Sequence, residues 1–160
     1  MTSKVFTWAA VAALVALAAI QLVPVDRSNP PVTAEVQAPP GVMSQIRTSC
    51  YDCHSNESDW PWYSYVAPVS WFVADHVQEG REHLNFSTWG DLPAEEQAEM
   101  AEEISEEVHE GEMPLSSYLW MHADARMSGA QQRVITDWAD GLHASLGGED
   151  RPTEEDDGGH

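Results

Sequence analysis

Both cysteines of this chain sit in one five-residue run, Cys50-Tyr51-Asp52-Cys53-His54. Cys-x-x-Cys-His is the spacing by which haem is attached covalently to a polypeptide. Two thiols add to the two vinyl groups of one porphyrin, and the adjacent histidine reaches the iron from one side. A chain built this way folds against a large flat group fixed at one point in its sequence, and no thiol is left over for a second haem. The other uses of the pair fit less well. A redox dithiol belongs to a βαβ setting, and strand-like alternation is almost missing here. Structural zinc needs four ligands, usually with a second Cys/His pair at similar spacing; neither His76 with His83 nor His109 with His122 has it. A disulfide across two residues closes a very short loop and stabilises little. The motif therefore assigns one haem c to Cys50 and Cys53, with His54 as the proximal iron ligand.

The chain around the motif divides by composition. Lys4 precedes an apolar run from Val5 to Val23, broken by Thr7 and Gln21. Its length is close to the ~20 residues that cross a bilayer as a helix. It is longer than the apolar core of a cleaved signal, and no clear Ala-x-Ala site follows. Residues 1–24 are accordingly read as a signal-anchor and transmembrane helix, with a cleaved signal as the alternative. Lys4 is opposed by Arg27, so charge orients the segment weakly. Covalent haem attachment takes place outside the cytoplasm, and this puts the remainder on the exported, periplasmic or extracytoplasmic, side. Residues 25–40, rich in Pro and small residues, read as a flexible tether. Residues 41–146 are long enough for one small haem c-binding domain, and 147–160 read as a disordered acidic tail.

The periodicity of 41–146 is helical. Val42, Met43, Ile46 and Cys50 share a face leading into the motif. From Pro68, the positions Val69, Phe72, Val73, Val77 and Leu84 recur near helical spacing, with Gly80 thinning that face. Pro93 opens a third helix, with Glu95 and Glu96 in its first turn, an apolar stripe of Met100, Ile104 and Val108, and Gly111 as its stop. Ser128 and Gln131 form a capping-box pattern before a fourth helix that buries Val134, Ile135, Trp138 and Leu142. The run Trp60-Pro61-Trp62-Tyr63-Ser64-Tyr65 reads as neither helix nor strand. Its aromatics serve either as ordinary core or as a cover for the porphyrin edge, with polar tips toward the propionates.

The second axial position has several candidates: Met113, Met121, Met127, His76, His83, His109 and His122. Met113 is preferred because Pro114 disfavours helix at the residue before it. That leaves a loop between the third and fourth helices from which a thioether can point inward. His122 is the alternative. Methionine ligation raises the reduction potential relative to histidine.

These features together resemble the bacterial haem-binding domain family of small exported single-haem, cytochrome-c-like proteins. The resemblance spans 41–142. It rests on Cys50-Tyr51-Asp52-Cys53-His54-Ser55-Asn56, Trp60-Pro61-Trp62-Tyr63, Ala67-Pro68-Val69-Ser70-Trp71, Glu79-Gly80-Arg81, Leu84-Asn85-Phe86-Ser87, Met113-Pro114, Tyr118, His122 and Trp138. It implies a mainly α, cytochrome-c-like domain wrapped on one haem bound through Cys50 and Cys53, with His54 axial. It also raises Met113, although Leu115 and Ser116 follow where related loops often carry a second proline. Arg81 reads either as a grip on a haem propionate or as a helix-surface ion pair with a glutamate.

Seven Lys and Arg against 27 Asp and Glu give a formal charge of −20. Such a surface repels nucleic acid and favours a redox partner protein with a basic docking face. It also fits a high-salt habitat. No Ser/His/Asp or paired-carboxylate constellation stands out. The expected function is a membrane-tethered electron carrier rather than an enzyme. The alternative is a haem-based sensor or peroxidase-like protein with a displaceable distal ligand.

Overall fold

The structure is a computed structural model that describes residues 2–147, with side chains from residue 4. The expected acidic tail, beyond Gly147, lies outside the described residues. Among the described residues there are seven α-helices, three 3-10 turns and no strand. The helices are α1 (Thr2–Ile20), α2 (Pro40–Ser49), α3 (Tyr51–His54), α4 (Val69–His83), α5 (Ala94–Glu110), α6 (Ser116–Leu119) and α7 (Gly129–Ser145).

Local chemistry sets the helix boundaries. Pro40 occupies the first turn of α2, where its missing N–H removes no bond. Pro93 precedes α5, Glu95 and Glu96 lie in its first turn, and Gly111 ends it in the left-handed region at φ 79°, a conformation open to glycine at little cost. Ser128 and Gln131 form the reciprocal capping box of α7. The run expected to be irregular contains a 3-10 turn over Trp62–Tyr65, held by Ser64, whose N–H and Oγ both donate to the Pro61 carbonyl at 3.0 and 2.7 Å.

The described chain forms two compact units. One comprises the chain up to Val32 together with Tyr51–Ser87, and so holds α1, α3 and α4. The other comprises Thr33–Cys50 and the chain from Thr88, with α2, α5, α6 and α7. In the latter, α5 packs on α7 and α2 packs on α7. Ala98, Ala101, Ile104 and Val108 of α5, Ile135 and Ala139 of α7, and Val42 and Ile46 of α2 are buried. The stripe on α5 thus runs through two alanines, which let the helices approach closely, while Met100 is only half-buried. Val134, expected inside, is exposed, and Trp138 and Leu142 are half-buried.

In the unit built on α3 and α4, the expected apolar face of α4 is corrected. Val77 and Ser70 are buried, but Val69 and Phe72 are exposed, Phe72 to 51 %. The inward side of this helix is made of small residues because it receives α3 and the 62–65 turn.

The N-terminal segment also departs from expectation. Helix α1 stops at Ile20, and Gln21 turns to bond the backbone of Ala67 through both its amide nitrogen (3.1 Å) and its oxygen (2.9 Å). From Val5 to Ile20 a helix rises about 24 Å, short of the ~30 Å hydrocarbon core. Among the described residues no helix is long and apolar enough to cross a membrane. Residues beyond it, expected as a free tether, are tied down. Arg27 donates to the Ser64 carbonyl (3.1 Å), Asn29 to that of Ser58 (3.0 Å), and Asn56 to that of Pro31 (2.9 Å). In the other unit, Val36 is buried and the Gly90 N–H donates to the Ala34 carbonyl at 2.9 Å.

Arg81 is the centre of this docking. Its Nε donates to the Ser55 carbonyl (2.7 Å) and its Nη1 to the Ser28 carbonyl (2.9 Å), while Nη2 donates to Asn29 Oδ1 (2.8 Å) and Ser58 Oγ (2.9 Å). Neither expected role, propionate grip or glutamate pair, describes these contacts. The planar fork instead joins the N-terminal segment to the loop after the motif, a geometry that an ammonium cannot reproduce. Arg81→Lys is therefore expected to destabilise the protein by about 2 kcal/mol, measured as a lower denaturant midpoint, and to make the chain near Ser28 more susceptible to limited proteolysis.

Candidate haem site

The motif is delivered by two consecutive helices. Cys50 caps the C-terminus of α2, its N–H donating to the Ile46 carbonyl at 2.9 Å. Cys53 and His54 follow on α3. Both cysteines are half-buried thiols. Burial, with the Asp52 carboxylate adding to it, pushes the Cys53 thiol up to about 11. A redox dithiol relies on a lowered pKa and a ready thiolate, so this environment disfavours the oxidoreductase use of the pair.

His54 is held on three sides. Its Nδ1 lies 2.9 Å from the Gly80 carbonyl and 3.2 Å from the Leu84 carbonyl, and its own carbonyl accepts the Phe86 N–H at 2.8 Å. Carbonyl oxygens only accept, so Nδ1 must carry the hydrogen and Nε2 keeps its lone pair. Burial lowers the pKa of the ring, opposed by the bonds to Leu84 and Gly80. The result is a neutral imidazole with a fixed tautomer, which is the state that ligates metal.

Gly80 makes this possible. A Cβ there would lie 2.9 Å from the Cys53 carbonyl oxygen and 3.2 Å from Cys53 Cβ. The glycine lets the backbone of α3 lie directly on α4, and its carbonyl then takes the His54 hydrogen. The segment after α4 completes the support. Phe86 is buried and stacks on Tyr51 at 5.7 Å with 12° between the rings. The Asn56 N–H donates to Ser87 Oγ (2.9 Å), and Asn85 Nδ2 donates to Asn56 Oδ1 (2.8 Å).

The aromatic run lies beside this helix pair. Burial, then the negative charges of Asp52 and Cys53, push the Tyr63 hydroxyl up from its ordinary value. Trp62 and Tyr65, however, are 72 % and 59 % exposed, so core packing does not explain them. Trp60 is half-buried, and its indole Nε1 is buried with no hydrogen-bond partner in the structure.

The preferred distal candidates, Met113 and His122, belong to the other unit. Gly111 turns the chain out of α5, and the N–H groups of Glu112 and Met113 both donate to the Glu107 carbonyl, at 3.0 and 3.1 Å. Met113 is half-buried on this turn, in a loop as expected. His122 stacks on Tyr118, with ring centres 4.1 Å apart and 11° between planes. Among the remaining histidines, His83 and His109 are exposed. His76 lies on α4 with Nδ1 3.0 Å from the Phe72 carbonyl and its ring against that of Phe72 at 4.0 Å.

A family model described as the haem-binding domain matches residues 15–141. The chain belongs to the haem-binding domain family. No curated protein and no solved structure matches it. Haem binding is thus shared with the family, and the residues present suit the group. They provide a neutral histidine with an unprotonated Nε2, half-buried thiols, and a buried indole N–H that lacks an acceptor. Sequence reasoning did not find the roles of Gly80, Leu84 and Phe86 in this haem-binding domain. The one available signal was a glycine inside a helix, a position that favours a close backbone approach.

An exposed helical glycine replaced by alanine gains up to about 1 kcal/mol. At position 80 the sign should reverse: Gly80→Ala is expected to destabilise by about 1–3 kcal/mol through overpacking, read from denaturant unfolding. A gain in stability would remove Gly80 from this account.

Proposed function

We propose that this protein is an exported, single-haem c-type cytochrome that carries electrons, with haem held covalently by Cys50 and Cys53. The observation that carries this reading is the His54 side chain, whose Nδ1 is engaged by the Gly80 carbonyl at 2.9 Å. A histidine inside a Cys-x-x-Cys-His run, neutral and oriented through its far nitrogen, is arranged as an axial ligand.

Cys50 and Cys53 would each hold the haem by adding S–H across a vinyl C=C, sulfur to one carbon and hydrogen to the other. That addition would consume no oxidant or reductant. Bound haem supplies one iron that cycles between ferrous and ferric. His54 Nε2 would hold that iron together with Met113 Sδ, with His122 as the alternative to Met113. Met113 is half-buried in the turn after α5, immediately before Pro114, while the ring of His122 stacks on Tyr118.

The exterior supports electron transfer to a protein partner. Glu95, Glu96, Glu99, Glu103, Glu106, Glu107 and Glu110 are exposed along α5. Together with the charge of −20, they favour a partner with a basic docking face and association that weakens with salt. Export and membrane attachment belong to the same proposal. Along α1 the apolar side chains of Phe6, Trp8, Leu14 and Val15 are exposed, which supports a lipid-facing segment even where a full span is not reached.

Met113→Ala is expected to convert a six-coordinate haem that ignores carbon monoxide into one that binds it. The reduction potential should fall by on the order of 100 mV. His122→Ala should change neither. The reverse pattern in absorption spectra and redox titrations would move the distal position to His122.

A further inference from the structure

Trp60 carries the one buried side-chain nitrogen or oxygen, among the described residues, that has no hydrogen-bond partner. An indole N–H can only donate, and buried polar groups in native proteins are nearly always matched. Hydroxyls of the same stretch of chain are matched: Ser55 Oγ donates to the Tyr51 carbonyl (2.7 Å), Ser58 Oγ to the Asp52 carbonyl (2.6 Å), and Ser64 Oγ to the Pro61 carbonyl (2.7 Å). One donor left over in a loop so thoroughly paired points to an acceptor that is not part of the polypeptide.

The position of the loop narrows what that acceptor is. The Asp59 N–H donates to Asp52 Oδ1 at 3.2 Å, and Arg81 grips Ser55 and Ser58. The residue before Trp60 is therefore fastened to the residue next to Cys53, and the chain after it enters the hydrogen-bonded 62–65 turn. Arg81, the cation expected to meet a haem propionate, is already committed, and so is the nearby Arg27. Arg81 is bound to backbone and side-chain oxygens, and Arg27 donates to the Ser64 carbonyl while lying 4.5 Å over the Tyr65 ring. A propionate brought to this unit by attachment at the motif would find an uncommitted donor in the indole.

We propose that Trp60 is a haem-positioning residue whose Nε1–H donates to a propionate carboxylate of the attached haem. This rests on the haem c reading. The bond stabilises the ionised carboxylate and so lowers the propionate pKa. It also fixes the tilt of the porphyrin edge relative to α3.

The test uses the full-length haem-loaded protein with indole-¹⁵N tryptophan, assigned through Trp60→Phe. In the wild type, the Trp60 N–H should be shifted downfield and exchange with water far more slowly than that of exposed Trp62. In Trp60→Phe, the pH-linked step in reduction potential that reports propionate ionisation should move up by about one pH unit. An N–H that exchanges as fast as that of Trp62 would overturn the proposal. A protected N–H with an unchanged pH profile would also overturn it, because a trapped water would then be the acceptor. The wild-type exchange measurement stands even if the variant folds poorly. Absence of covalent haem, seen as a protein of unmodified mass, would instead defeat the haem c reading and this inference with it.

Discussion

The seating of α3 on α4 at Gly80 governs the chemistry of the motif. A Cβ at position 80 would lie only 2.9 Å from the Cys53 carbonyl oxygen, and the carbonyl of that same glycine accepts from His54 Nδ1. One residue thus sets both the distance between the helices and the tautomer of the histidine. A Cβ there would push α3 outward and lengthen the bond that orients the ring. The Leu84–Ser87 segment then locks the arrangement from the far side, through the Leu84 carbonyl, the Phe86 N–H and the Ser87 hydroxyl.

The treatment of positive charge follows from the composition. In a chain with so few cations, electrostatic pairing on the surface would be the ordinary use of an arginine, yet Arg27 and Arg81 turn to carbonyl oxygens. Both thereby bind the segment after α1 to the loop after the motif. Carbonyls cannot titrate, so these bonds persist over a wide pH range and are less sensitive to salt than exposed ion pairs. Arg47 with Glu35, in the other unit, is an ion pair of the ordinary kind. Most of the dense glutamates of α5 are exposed and face an approaching partner.

Much of this was legible in the sequence wherever a local rule decides the outcome. Pro93, Gly111 and the Ser128–Gln131 box mark helix ends through backbone chemistry, and the structure has them there. The motif itself named Cys50, Cys53 and His54 as a haem site, and the family match agrees that the protein binds haem. Periodicity was less informative where small residues line an interface. On α4, Val77 is buried and Gly80 faces α3 as expected, yet Val69 and Phe72, which carry the same apolar signal, are exposed and Ser70 is buried in their place. The fate of Arg81 was not legible, because its acceptors are carbonyls of residues 28 and 55, far away in the chain. The same holds for Trp60, whose significance lies in a missing bond that only a three-dimensional account of the loop can reveal.

The central claim is that Cys50 and Cys53 hold one haem with His54 on its iron. It is tested most directly on the full chain produced with haem-attachment machinery, by intact mass followed by absorption spectra in both redox states with carbon monoxide added. The account predicts the mass of one haem added, lost on Cys50→Ala/Cys53→Ala, and a low-spin spectrum with a sulfur-to-iron band that carbon monoxide leaves unchanged. A protein without covalent haem would contradict the attachment, and a high-spin, carbon monoxide-reactive haem would contradict the electron carrier in favour of a ligand-binding or peroxide-reactive protein.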